Sequence, residues 1–73
     1  RMIKINWEKA GFGRIEGTHY RVERYKVKEG YYYMLSDNKD TYLASKGPYS
    51  TIDERNEAII NEVEKRHESA NNR

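Results

Sequence analysis

Cysteine is absent from the 73 residues, proline occurs once, and no apolar run is longer than the stretch from Tyr31 to Leu35. Without cysteine, neither a disulfide nor a thiolate metal site can form. So short an apolar run excludes a membrane-spanning helix and a signal peptide, and we expect a cytoplasmic protein with no membrane partner. Aromatic residues nevertheless make up 12% of the chain, whereas disordered chains have few. We predict one small folded domain over residues 2–70, with a frayed tail at 71–73.

Charge is unevenly distributed along the chain. The net charge is +2, from 14 basic and 12 acidic residues. Residues 1–50 carry ten Lys or Arg and six Asp or Glu, which gives +4, whereas residues 51–70 carry three and six, which gives −3. A basic first part favours an anionic partner. The alternative is that both parts are ordinary solvated surfaces.

The hydropathy pattern predicts strands followed by a helix. Alternation or β-rich composition favours strands at 2–7, 19–28, 31–36 and 41–45, and the Gly-rich segment 11–17 is a turn or an irregular strand. Residues 51–70 form the predicted helix, which opens with a capping box of Thr51 and Glu54. The fold class is therefore α+β, an antiparallel sheet of three to four strands with one C-terminal helix packed across one face. The inner arc of the helix at 100° per residue comprises Ile52, Asn56, Ile59, Ile60, Val63, His67 and Ala70.

The strand at 19–28 has an apolar pattern that changes phase. Tyr20 and Val22 are at even positions, whereas Tyr25 and Val27 are at odd positions. A bulge near Glu23, or a strand covered on both sides at its start, would explain the switch. If Tyr25 and Val27 face the helix, three cations project together from the other face of the sheet. These are Arg24, Lys26 and Lys28.

Catalytic motifs are missing. His19 and His67 are not spaced as metal ligands on one element, and the serines lack a nucleophile elbow. We therefore expect a protein that is not an enzyme, with no cofactor, no metal site and no evident small-molecule substrate.

The segment Lys9-Ala10-Gly11-Phe12-Gly13-Arg14-Ile15 resembles the Lys-Gly-Phe-Gly-aromatic motif of cold-shock domains and, more loosely, that of RNA-recognition domains. The resemblance implies bases stacked on Trp7 and Phe12, with Lys9 and Arg14 on phosphates. Ala10 interrupts the motif and Arg14 replaces its second aromatic residue. The alternative is a Gly-rich turn held by a core Phe12.

Residues 27–64 resemble a second family. Gly30-Tyr31-Tyr32-Tyr33, a turn at 37–40, a short strand and a helix opening at Ile52 are similar to the arm-type DNA-binding domain of lambda-type tyrosine integrases. The resemblance implies a three-stranded sheet that enters the major groove, with a C-terminal helix behind it. This chain departs from the family in its acidic helix and in a Gly-Pro-Tyr loop where the family is basic. The shared role would be DNA binding alone.

Two functions follow as alternatives. The first is binding of nucleic acid, DNA before RNA, through a basic and tyrosine-rich sheet face. Its candidate residues are Arg24, Lys26, Lys28, Tyr32, Lys39, Tyr42 and Lys46. The second is a phage-type inhibitor that binds a host enzyme through exposed tyrosines and an acidic helix surface that imitates phosphates. Its candidate residues are Asp53, Glu57, Glu64 and Glu68.

Overall fold

A computed structural model describes residues 3–39 and 41–71. They form β1 (Ile5–Trp7), a 3-10 turn (Lys9–Gly11), β2 (Phe12–Ile15), β3 (Arg21–Val27), β4 (Gly30–Ser36), β5 (Tyr42–Tyr49) and α1 (Ile52–Asn71). The strands make one antiparallel sheet in which each pairs with the next along the chain. The α+β prediction is confirmed, with five strands instead of three to four.

The additional strand comes from the Gly-rich segment. Gly13 of β2 pairs with Trp7 on one side and with Val22 on the other. A Cβ atom at Gly13 would lie 2.7 Å from Cε3 of Trp7, so only glycine leaves room for the indole ring. At the opposite edge, β5 continues past the predicted end at Ser45 and through Pro48, because an edge strand tolerates the missing N–H.

The core lies between one face of the sheet and α1. Six buried side chains form it: Ile15, Val22, Tyr33, Leu35, Ile59 and Val63. We call this side of the sheet the covered face. Burial, followed by the nearby Tyr49 and Glu62, raises the pKa of Tyr33 well above its ordinary value of 10. The phenol therefore stays neutral at physiological pH.

The predicted inner arc of α1 is right at its centre and wrong at its ends. Ile59 and Val63 are buried as predicted, but Ile52 is 48% exposed and His67 is also exposed. Arg55 occupies the inner position of the first turn and is only 3% exposed. A hydropathy pattern does not predict an arginine at a buried position. Arg55 is buried there because it contacts aromatic rings from strands that are distant in sequence. The side chain of Ala70, also predicted to face inward, lies outside the described residues. Of the predicted tail, Asn71 belongs to the helix, and residues 72–73 lie outside the described residues.

The capping box is confirmed. The N–H of Glu54 donates to Oγ1 of Thr51 at 3.1 Å. In return Oε2 of Glu54 accepts from the N–H of Ser50 at 3.2 Å, one residue earlier than a standard capping box places it. Thr51 is therefore the N-cap, and its hydroxyl satisfies the backbone N–H of Glu54 in the first turn of α1.

The predicted orientation of β3 is wrong. Its register with β4 is unbroken from Arg21 opposite Ser36 to Val27 opposite Gly30, so this pair has no bulge at Glu23. Strict alternation from the buried Val22 then places Arg24 and Lys26 on the covered face. Tyr25 and Val27 lie on the other face, 36% and 43% exposed, and do not pack against α1.

Cation–aromatic contacts explain this orientation. The guanidinium carbon of Arg24 lies 4.5 Å from the centre of the Trp7 ring, and Nζ of Lys26 lies 5.5 Å from the centre of the Tyr31 ring. Such contacts are favourable for a cation that is partly removed from water. The covered face therefore accommodates charged side chains that a hydropathy pattern assigns to solvent.

Candidate nucleic-acid interface on the open sheet face

The face of the sheet opposite α1 is not covered by any of the described residues. We call it the open face. Alternation along β2 to β5 places aromatic residues from four strands on it: Phe12, Tyr25, Tyr32 and Tyr42. The cross-strand register joins them into one surface, in which Phe12 pairs with Glu23, Glu23 with Met34, and Tyr25 with Tyr32.

Tyr25 and Tyr32 form a stacked pair two residues further along the strands than the Phe12–Glu23–Met34 row. Their ring centres are 5.1 Å apart and their planes differ by 3°. Gly47 of β5 lies against the Tyr32 ring, since a Cβ atom at Gly47 would be 2.8 Å from Cγ of Tyr32. The backbone of Gly47 has a φ of +142°, which side chains other than hydrogen rarely allow. Tyr32 is therefore held from two sides, and the pair is a preformed aromatic platform.

Phe12 and Tyr42 present their rings to solvent on either side of a shallow depression. Phe12 is 50% exposed and Tyr42 is 68% exposed. The depression between them has a volume of about 190 Å³ and is lined by both rings together with Arg21 and Met34. Large aromatic side chains this exposed on a contiguous surface are characteristic of binding sites.

Arg14, Arg21 and Glu23 contribute charged groups to the open face. Arg14 and Arg21 are opposite each other in the β2–β3 register, and Glu23 follows on β3. Nε of Arg14 donates to Oε1 of Glu8 at 3.0 Å, with both side chains more than half exposed. Such a surface ion pair contributes little stability, so an anionic ligand can replace Glu8 at small cost.

The residues predicted to bind nucleic acid do not share one surface. Tyr32 and Tyr42 are on the open face, whereas Arg24, Lys26 and Lys46 are on the covered face. Lys28 and Lys39 lie in the β3–β4 and β4–β5 turns. Lys46 also has an ionic partner, because its Nζ lies 2.7 Å from Oε1 of Glu62. The predicted basic stripe of β3 is therefore wrong as a description of the open face.

The sequence prediction missed four residues of the open face: Phe12, Arg14, Arg21 and Tyr25. Phe12 and Arg14 belong to the segment that resembles the cold-shock motif, so a signal for two of them was present. The interpretation of Phe12 as a core residue is wrong, since half of it is exposed. Trp7, which that resemblance placed beside Phe12, lies half-buried on the covered face instead.

The acidic residues of α1 lie on the other side of the molecule. Asp53, Glu57 and Glu68 are exposed and Glu64 is half-buried. A groove of about 530 Å³ runs between α1 and β5, and Glu64 and Glu68 line it together with Lys46 and Lys65. The surface predicted to imitate phosphates therefore has acidic and basic groups side by side.

Glu62 is the acidic residue of α1 that is turned inward. It accepts from Nζ of Lys46 at 2.7 Å and from Nε of Arg66 at 3.1 Å. The hydrogen bond from Lys46, followed by the two positive charges, holds the pKa of Glu62 below its ordinary value of 4.5 despite partial burial. Nη2 of Arg66 also donates to the carbonyl oxygen of Leu43 at 3.2 Å. This network ties α1 to β5.

Within residues 3–39 and 41–71, no cluster of three or more His, Asp or Glu side chains could hold a metal ion. The same part of the chain has no helix that is long and apolar enough to cross a membrane. No protein-family model, curated protein or solved structure matches this chain. The similarity to arm-type integrase domains therefore stays an expectation from the sequence.

Proposed function

We propose that this protein binds nucleic acid through the open face, with unpaired bases stacked on its aromatic rings. The observation that carries the proposal is the pair of exposed rings, Phe12 and Tyr42, which flank a depression on the same face as the stacked Tyr25–Tyr32 pair. Stacking of a base on an aromatic side chain contributes about 1–3 kcal/mol and tolerates any sequence, because every base has a π face. The exposed rings of Phe12, Tyr25 and Tyr42 can therefore hold a short single strand, with Tyr32 stacked behind Tyr25.

Single-stranded nucleic acid fits this surface better than a duplex. Bases within a duplex are stacked on each other and present only their edges in the grooves, so the ring faces of Phe12 and Tyr42 would have nothing to stack on. Arg14 and Arg21 provide two phosphate contacts at most. We therefore expect a shallow salt dependence, with a slope of about −1.4 for two contacts to a single strand.

Fluorescence anisotropy with labelled oligonucleotides tests the proposal. Three probes of one sequence are compared: single-stranded DNA, single-stranded RNA and duplex DNA, each about 12 nucleotides long, within the range that small sheet domains cover. The resemblance to arm-type domains favours DNA over RNA, and the first two probes compare them. We expect the single strands to bind more tightly than the duplex.

The test variant is Tyr42→Ala and its matched control is Ile52→Ala. Both remove a large exposed apolar side chain, but Ile52 is on α1, on the other side of the sheet. Loss of one stacked base weakens binding about 5- to 150-fold in Tyr42→Ala, whereas Ile52→Ala binds like the wild type. Equal affinities of the two variants, or no binding of any probe by the wild type, would refute the proposal.

The alternative of an inhibitor that binds a host enzyme places the interface on α1. The exposed positions of Asp53, Glu57 and Glu68 favour it, and the mixture of acidic and basic groups around Glu64 counts against it. Reversal of Glu57 and Glu64 to Lys separates the two proposals. Binding to oligonucleotides should persist or tighten in this variant, whereas an inhibitor would lose its basic protein partner.

A further inference from the structure

Arg55 is a buried cation, and no carboxylate of residues 3–39 and 41–71 forms an ion pair with it. Its Nε and Nη2 both donate to Oδ1 of Asn56, at 3.2 and 2.9 Å. An amide oxygen is neutral, so these bonds satisfy donors without balancing the charge. Burial, followed by the positive charge of Arg24, lowers the pKa of Arg55. A guanidinium nevertheless stays protonated in a protein, so its charge is present.

Two further cations meet Arg55 around the same rings. The guanidinium carbons of Arg24 and Arg55 lie 4.5 and 5.5 Å from the centre of the Trp7 ring. Nζ of Lys26 and the guanidinium carbon of Arg55 lie 5.5 and 5.8 Å from the centre of the Tyr31 ring. Three positive charges from β3 and α1 are therefore gathered over two aromatic residues.

Three carboxylates that adjoin these residues in sequence are directed elsewhere. Glu8, next to Trp7 in sequence, accepts from Nε of Arg14. Glu54, next to Arg55, accepts from the N–H of Ser50. Glu23, next to Arg24, lies on the open face in register with Phe12 and Met34. The charge of the three cations therefore has no acidic side chain from these neighbours to offset it.

We propose that Arg24 and Lys26, with Arg55 behind them, form a binding site for a phosphate-type oxyanion. Lys26 is exposed and Arg24 is half-buried, so both can contact a ligand that arrives from solvent. Arginine binds phosphate through paired N–H groups and lysine binds it as a point charge. The oxyanion would also reduce the repulsion between Arg24 and Arg55. Its source is either a free phosphate or the phosphodiester backbone of a nucleic acid.

The lone tryptophan of the chain reports on this site. Because Arg24 and Arg55 both lie over Trp7, a ligand that moves either guanidinium changes the indole fluorescence. The protein is titrated with sodium phosphate and, in parallel, with sodium chloride at matched ionic strength. Dimethyl phosphate forms a third titration and represents the diester. We expect a saturable change with at least one of the two phosphates and none with chloride.

The variant Arg24→Gln removes the half-buried cation, and Lys65→Gln removes an exposed positive charge near the other end of α1 as the control. We expect affinity for the bound phosphate to fall at least tenfold in Arg24→Gln and to be unchanged in Lys65→Gln. Since Arg24→Gln also alters the indole signal itself, the melting temperature provides a second measurement. The bound phosphate should raise it in the wild type and in Lys65→Gln but not in Arg24→Gln.

The two sources are distinguished by the ligand that binds. Inorganic phosphate alone indicates a free phosphate group, whereas dimethyl phosphate of equal affinity indicates the backbone of a nucleic acid. Identical responses to phosphate and chloride, or equal affinities of Arg24→Gln and the wild type, would overturn the proposal. The open face is unaltered in these variants, so such a failure would leave base stacking on the open face untouched.

Discussion

The two faces of one sheet use the same residue types in opposite ways. On the covered face, Arg24 and Arg55 lie over the Trp7 ring, so this ring already has cations packed against it. On the open face, Tyr25 and Tyr32 stack on each other, while Phe12 and Tyr42 keep much of their surface in solvent. The comparison shows that residue type does not decide on which face an aromatic ring stays exposed. Trp7 has cations packed over it, whereas Phe12 and Tyr42 keep ring surface available to a ligand.

The largest expected effect is on the covered face. Ile59 is fully buried against the sheet, so Ile59→Ala should lower the free energy of unfolding by about 2–5 kcal/mol. On the open face, Phe12→Ala should change it by about 1 kcal/mol or less, because half of Phe12 is already in solvent. Urea unfolding of both variants measures the difference. Similar losses in the two would mean that the open face is a second core.

Replacement of Tyr25 on the open face should affect binding more than stability. Tyr25→Ala removes one half of the stacked pair, and we expect the affinity for single-stranded DNA to fall about 5- to 150-fold. An aromatic pair contributes about 0.5–1.5 kcal/mol to stability, so the domain should remain folded. Anisotropy titration and thermal melting are measured on the same sample. If Tyr25→Ala lowers the melting temperature strongly but leaves the affinity for single-stranded DNA unchanged, Tyr25 has a structural role and no role in binding.

Acid should weaken the link between α1 and β5. The pKa of Glu62 is lowered in the folded state, so the unfolded state takes up the proton more readily. The stability from this group is therefore complete above about pH 4.5 and is lost as the pH falls through the lower folded pKa. Hydrogen bonds to charged groups contribute about 1.5–3 kcal/mol when buried, and less here because Lys46 is half exposed.

Glu62→Gln tests whether Glu62 causes this loss of stability in acid. Lys46→Met is the companion variant, because the hydrogen bond from Lys46 is the main cause of the lowered pKa of Glu62. Both variants should lose less stability than the wild type between pH 5 and about pH 3. Urea unfolding at a series of pH values provides the curves. Three parallel curves would show that Glu62 has the same pKa in both states.

The smallest expected effect concerns the cap of α1. Thr51→Ala should lower the free energy of unfolding by about 1 kcal/mol, because the N–H of Glu54 loses its acceptor. Ser50 uses its backbone N–H in the cap and not its hydroxyl, so Ser50→Ala is the matched control and should have little effect. A larger loss in Ser50→Ala than in Thr51→Ala would move the cap to Ser50.

Local features of this fold could be predicted from the sequence. The capping box, the helix that follows it and the burial of Ile59 and Val63 depend on residues within a few positions of each other, and all are confirmed. The α+β class follows from the same patterns. The sequence did not decide whether residues 11–17 form a turn or a strand, because glycines are common in turns. Here the glycine at position 13 instead leaves room for the Trp7 ring above a strand.

The orientation of β3 could not be predicted in the same way. Tyr25 and Val27 are the most apolar residues in the second half of the strand, yet they lie on the open face. Arg24 and Lys26 lie on the covered face because Trp7 and Tyr31, on other strands, provide ring surfaces for them. Those partners become neighbours only when the sheet has formed, so no pattern within β3 reveals them. The candidate site changed with this orientation, from a basic stripe to an aromatic surface.

A nuclear magnetic resonance titration tests the central claim most directly, namely that the covered face holds the fold together and the open face binds. Single-stranded DNA of about 12 nucleotides is added stepwise to the wild-type protein, and the ring protons of the aromatic residues are followed together with the methyl groups of the core. Stacked bases should shift the ring protons of Phe12, Tyr25, Tyr32 and Tyr42, while the methyl groups of Ile59 and Val63 stay in place. Shifts confined to residues of α1, with the four rings of the open face unchanged, would contradict the account.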